Sequence, residues 1–402
     1  MDAAARKAFN AGYNNQKYAE FLNNLNAGLL NPVPFRVAET PVFIPDDFKE
    51  KLIEAGNSIV DFILQPQFKE LTERSIPQKW RVPNENDHPH FITLDFGVCK
   101  DEQGNLVPKL IELQGFPSLY GFQVHLAEQY QQTYGIPDDW TVFFNGLDKE
   151  QYIQLLKETI VGPFKPDEVV LMDVNAPEQK TSVDFYITQQ YLGIPVVSLV
   201  DLKQQGSQLF YEVNGELKPI KRIYNRLIFD EIENDPDIFK HAVDIRQQLD
   251  VEWVTHPNWF YRISKFTIPF LSGPYIPPTF FLKDRLQDLP ADLEDYVLKP
   301  LFSFAGQGVI IDVTKDHIQQ ITDPENWILQ QKVTYEPAVH TPDGGVKAEI
   351  RLLYLWPDDA EKPTLAINLA RLSRGKMIGV RYNKDFNWVG GSTALMRKQQ
   401  LQ

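Results

Sequence analysis

The chain has 402 residues, of which 43% are hydrophobic and 23% charged, and its formal net charge is −14. That length suits two or three domains with a sizeable core, and the acidic balance argues against non-specific binding to nucleic acid or to anionic membranes. The single cysteine, Cys99, rules out an internal disulfide and a cysteine-cluster metal site, which fits a reducing compartment.

In chain order, residues 11–28 and 46–74 carry helical spacing. The second run repeats Phe48, Leu52, Ile53, Ala55, Ile59, Val60 and Ile63 after the N-terminal signals Pro45, Asp46 and Asp47. Met1 to Asn10 has no apolar signal core, and no run of roughly 18 apolar residues follows. The expected location is therefore the cytoplasm, with no membrane partner. After a polar, proline-bearing loop from Pro77 to Pro89, the spacing turns to strands. Phe91 to Val98 and Leu106 to Leu113 flank the turn Lys100 to Asn105 and predict a hairpin, with a helix over 120–134. Residues 150–250 read as an α/β unit. A strand from Glu168 to Asp173, a helix from Thr181 to Leu192 and a strand from Ile194 to Leu199 give the rhythm of a parallel sheet. Asn214-Gly215 joins two further strands, Leu209 to Val213 and Glu216 to Tyr224. Beyond residue 252, strands are expected at Tyr296 to Lys299, Val309 to Val313, Trp327 to Val333, Ala348 to Leu355 and Thr364 to Leu372. Three units follow from this pattern: 1–148, 149–252 and 253–402.

The usual zinc, serine-hydrolase, P-loop and dinucleotide signatures are absent. His88 and His90 lie close together in a loop without further ligands and read as plain loop residues. Three constellations remain. Lys299 leaves a strand into the small-residue loop 303–308, where Ser303, Ala305, Gly306, Gln307 and Gly308 can point backbone N–H groups at phosphate oxygens while the lysine supplies a point charge. An ordinary glycine hairpin with a surface lysine has the same pattern. Asp95 and Glu112 lie on the two arms of one hairpin, with Gln114 on the face of Glu112. Paired carboxylates suit a hard cation such as Mg²⁺, and they also occur as surface acids at a sheet edge. Arg351 shares a strand face with Glu349, and its guanidinium suits phosphate or carboxylate.

Together these segments resemble the ATP-grasp superfamily in circularly permuted order, as in the family that contains glutathionylspermidine synthase, because the carboxylates precede the lysine. The resemblance spans about residues 90–395. It implies an α+β ATP-grasp fold with an α/β pre-ATP-grasp domain at 149–252, and ATP and Mg²⁺ as cofactors. Asp95, Glu112 and Gln114 would be the metal ligands; Gln114 stands where the family usually has asparagine. Lys265, Lys299 and the loop 303–308 would contact the nucleotide. Gln330, Gln331, Lys332 and Val333 would form the hinge strand at the adenine edge, and Glu336 could reach the ribose. Arg351 would neutralise the γ-phosphate, with Arg371, Asn387, Gly390 and Gly391 near the transferred group and Arg226 at a substrate acid. The implied activity is ATP-dependent joining of a small-molecule or peptide carboxylate to an amine through an acyl phosphate. A phosphotransferase of the same fold and a non-catalytic nucleotide-binding or scaffold protein are the alternatives.

Overall fold

Side-chain chemistry at the helix starts reshapes the first part of the chain. The computed structural model describes residues 1–233, 235, 237–302, 307–375, 378, 383 and 385–398. α2 (Asn15–Asn26) stands where a helix was expected over 11–28, and a further helix, α1 (Ala3–Gly12), precedes it. Asn14 makes the break by accepting the Lys17 N–H as an N-cap. The short strand β1 (Val42–Phe43) leads into α3 (Asp46–Ile63), which buries Phe48, Leu52, Ile59 and Ile63. The helix expected to run to 74 stops there. Pro66 has no N–H to continue it, and two short turns of helix follow, α4 (Phe68–Leu71) and a 3-10 turn at Glu73–Ser75.

The hairpin forms as expected from β2 (Phe91–Lys100) and β3 (Leu106–Gln114). Asp101 fixes its turn by accepting from the N–H groups of Gln103 and Asn105. Next come α5 (Tyr120–Tyr134), the two-residue strand β4 (Trp140–Thr141) and α6 (Lys149–Ile160), which opens with an Asp148–Gln151 capping box.

The β-α-β rhythm is borne out by β5 (Val169–Asp173), α7 (Ser182–Leu192) and β6 (Val196–Ser198), whose strands are parallel. A three-stranded antiparallel meander follows: β7 (Lys203–Gln205), β8 (Gln208–Val213) and β9 (Glu216–Ile220). Its tight turn places both Asn214 and Gly215 at positive φ. The strand expected over 216–224 divides at Lys221. Its first part stays in the meander, while β10 (Arg222–Asn225) enters the parallel sheet beside β5. With β11 (Glu252–Val254) the order is β11-β10-β5-β6.

A small antiparallel sheet follows, made of β12 (Thr279–Phe281), β13 (Tyr296–Pro300) and β14 (Trp327–Gln331), with β14 in the middle. The strand expected over 309–313 reduces to one bridge between Ile310 and Leu298. The remaining strands are β15 (Val339–Thr341), β16 (Gly344–Leu355), β17 (Thr364–Ser373), β18 (Gly390–Ser392) and β19 (Ala394–Arg397). The hairpin joins them in an antiparallel central sheet, ordered β18-β17-β16-β2-β3, with β15 paired to β16. β2 is therefore interior, and nine of its ten residues are buried. The main hydrophobic core lies on this sheet and draws on α3, α5 and α6. Gly56 lets α3 approach β16, because a Cβ there would run into the Tyr354 hydroxyl. A second core fills the α/β unit and a third lies on the small sheet. The architecture is thus mixed α+β with five sheets among the described residues. No described helix is long and apolar enough to cross a membrane.

Candidate functional site

Sheet register gathers the charged residues. Asp95 of β2 pairs with Glu112 of β3 on one side and with Arg351 of β16 on the other. Glu349 pairs with Arg371 of β17. Directly paired residues share a face, as do residues two apart on one strand, so all five side chains project from the same face. Arg351 grips Asp95 with two parallel bonds, Nε to Oδ1 at 2.6 Å and Nη2 to Oδ2 at 2.7 Å. Arg371 Nη2 lies 2.9 Å from Asp95 Oδ2 and 2.9 Å from Glu349 Oε2. The Tyr335 hydroxyl donates to Glu349 Oε1. Burial alone would raise the Asp95 carboxyl, but Arg351 and Arg371 outweigh it and hold the group below the ordinary carboxylate range. At Glu349 burial wins over Arg371, and that carboxyl is raised. Two guanidiniums and two carboxylates leave this cluster electrically balanced.

Beside it lies a second group with a different balance. Lys299, on β13, reaches across from the small sheet and donates to the Ile111 carbonyl at 3.0 Å and to Gln330 Oε1 at 2.5 Å. Gln330 is buried. Lys265 lies in the turn of helix after 257–262, is buried, and has its Nζ 3.9 Å from Glu112 Oε1. Burial pushes the Lys299 ammonium down to about 8; Glu112 opposes the shift and Lys265 adds to it. Glu112, Gln114 and Lys265 line a narrow cleft with Phe116, Phe260 and Leu301. Its free volume is about 10 Å³, room for about one water molecule.

The structure thus brings Asp95, Glu112, Gln114, Lys265, Lys299, Gln330, Arg351 and Arg371 to the junction of the central and small sheets. Gly391 joins them at the edge, since it pairs with Arg371. The other expected site residues are placed differently. Gln331 and Lys332 follow Gln330, but their backbone N–H groups already donate to the carbonyls of Pro278 and Asp295. The Lys332 ammonium faces Asp312 at 3.5 Å. Val333 is half-buried just beyond β14. Glu336 pairs with Lys100. Gln307 and Gly308 are exposed, with Gly308 at a φ of 72°. Ser303, Ala305 and Gly306 lie outside the described residues. Asn387 is exposed.

Two expectations meet a structural use instead. Arg226 is buried at the end of β10 and pairs with Asp184 at 2.6 Å. The other Asp184 oxygen accepts the N–H groups of Gly121 and Phe122 at the start of α5, a helix end with no cap of its own. Arg226 is therefore committed to orienting this buried carboxylate. Gly390, at a φ of 126°, packs against the Arg36 carbonyl, which also accepts the Gly391 N–H at 2.9 Å. These glycines admit a neighbouring backbone where a substrate was expected.

The magnesium expectation also meets a geometric obstacle. Both Asp95 oxygens accept from guanidiniums, and Glu112 faces two ammoniums, so this donor set does not fit a divalent cation as arranged. No group of three or more His, Cys, Asp or Glu side chains able to hold a metal occurs among the described residues. Tyr335 carries no local signal in the sequence. Glu349 does, through the Glu349-x-Arg351 spacing, and the structure sets it against Arg371.

No family model matches the sequence, and no curated protein matches it. Solved structures do. A glutathione synthetase like-effector from Globodera pallida, solved in its apoform, superposes with a TM-score of 0.59 over 96% of each chain, at 9% identity. The two chains share a fold. At that identity the likeness extends to the fold alone.

Proposed function

We propose that the chain binds a nucleoside triphosphate at the junction of the small and central sheets and uses it to join a carboxylate to an amine. The observation that carries this reading is the convergence of Lys299 and Lys265 on the single carboxylate Glu112, with Arg371 next to them. Buried cations in excess of their counter-charge attract an anion of high charge. Arg371 keeps 35% of its side chain exposed, while its Nε is buried without a hydrogen-bond partner. In the proposed reaction, a substrate carboxylate oxygen attacks the γ-phosphorus and the bond to the β-phosphate oxygen breaks, releasing ADP. The amine then attacks the acyl carbon of the acyl phosphate and expels inorganic phosphate. Lys265, Lys299 and Arg371 would neutralise the charge on the transferring oxygens. The cleft of about 10 Å³ must widen before a nucleotide enters.

A second reading is nucleotide binding without turnover. The bidentate hold of Arg351 on Asp95 favours it, because it fills the place of the expected metal ligand. Thermal-shift titration with ATP, with and without Mg²⁺, on wild type and Lys299→Ala tests binding through mass action. A rise in melting temperature in wild type that is lost in the variant supports the site; no rise at millimolar ATP removes both readings. ADP release in the presence of carboxylate and amine mixtures then separates turnover from binding alone.

A further inference from the structure

A second cavity, of about 410 Å³, lies on the α/β unit and shares no lining residue with the lysine cleft. Its lining includes the whole of β6, with Tyr186, Asp201, Lys203 and Glu212. That volume falls in the range of small-ligand sites, on the order of a few hundred Å³. β6 is the edge strand of the parallel sheet. Leu171 N–H donates to the Pro195 carbonyl, and Leu171 pairs with Val196. In a parallel ladder this phase directs the N–H and C=O of Val197 toward β5, and those of Val196 and the N–H of Ser198 away from it; the Ser198 carbonyl is taken by the turn of helix over 199–201 that it caps. No other described strand pairs with that outer edge. An edge with free donors and acceptors is a template for an added strand.

The charges in the lining narrow the choice of occupant. Asp201, Lys203 and Glu212 are exposed, and none takes part in a described ion pair. Two carboxylates against one ammonium leave a surplus of one negative charge. Tyr186 is half-buried and adds an aromatic ring, which favours a cation over its face.

We propose that this cavity binds a short peptide in extended conformation carrying one basic side chain. The peptide backbone hydrogen-bonds to the outer edge of β6, and its lysine- or arginine-type side chain lies near Tyr186, Asp201 and Glu212. This is a binding site separate from the proposed nucleotide site, and its test is independent of nucleotide.

Calorimetric titration of the full chain with the blocked tripeptides acetyl-Ala-Lys-Ala-amide and acetyl-Ala-Glu-Ala-amide checks it. The lysine peptide binds wild type measurably, the glutamate peptide does not, and the double variant Asp201→Lys, Glu212→Lys weakens the lysine peptide by at least about tenfold. Both replaced residues are exposed, and an unchanged melting temperature of the double variant confirms that it folds. Equal binding of the two peptides, undiminished binding by the double variant, or no binding of either peptide overturns the proposal. Lys299→Ala leaves the titration unchanged if the two sites are separate; a loss there instead places the peptide in the lysine cleft and overturns it as well.

Discussion

The two charged groups on the central sheet sit side by side, and they treat their charge in opposite ways. Around Asp95, two guanidiniums meet two carboxylates, with a tyrosine hydroxyl completing Glu349. Around Glu112, two ammoniums meet one carboxylate, and Lys299 is bonded to neutral oxygens. The first group satisfies itself inside the fold. The second sets two buried ammoniums against one carboxylate among the described residues, and burial shifts Lys299 well away from its ordinary value, a trait that clusters at functional sites.

Breaking the balanced group has the largest expected effect. Arg351→Ala leaves the Asp95 carboxylate buried with Arg371 as its remaining cation, and removing one partner of a buried pair costs about 3–5 kcal/mol. Denaturant unfolding should show that loss as a lower midpoint; an unchanged midpoint would mean the cluster is not structural. Tyr335→Phe removes the donor to Glu349 and should cost about 1–3 kcal/mol by the same measurement.

The lysine cleft should respond with the opposite sign. At neutral pH the folded chain holds Lys299 charged at the expense of its hydration, so Lys299→Met should raise the melting temperature while abolishing the ATP-induced shift. The folded-state value near 8 lies below the ordinary 10.5. The unfolded chain therefore holds more protons between those values, and stability from this group rises as pH climbs through that window. The advantage of Lys299→Met should be full below pH 8 and shrink towards pH 10.5. A pH-independent difference between the two proteins would show that Lys299 is not desolvated. The smallest effect is expected at Lys100→Ala. Its pair with Glu336 is partly exposed, and solvent-accessible pairs contribute about 0–1 kcal/mol.

The hairpin and the Asp95–Glu112 pairing were legible in the sequence because both depend on a local turn and a period of two. The β-α-β rhythm of the α/β unit was legible for the same reason. The partners of Asp95 were not. Arg351 and Arg371 reach it through strand pairing across more than half the chain, and no local pattern encodes which strands become neighbours. Arg351 was recognised as a phosphate or carboxylate ligand by its chemistry, and the carboxylate it holds proved to be the protein's own. Arg226 met the same outcome at Asp184. Single residues decided the missed boundaries: the Asn14 cap, the missing N–H of Pro66, and Lys221 where the chain leaves one sheet for another.

The pairing of β1 with β19 bears on how the protein is made. Val42 and Phe43 align with Ala394 and Leu395, and the Ser392 hydroxyl donates to the Thr40 carbonyl from 352 residues away. While the chain is being synthesised, the segment at 37–44 emerges first and has no strand to lie against until residues 390–397 leave the ribosome. Closing so long a loop is entropically slow compared with forming local contacts. The early segment must then wait, exposed to chaperones and proteases, for the last strand to arrive.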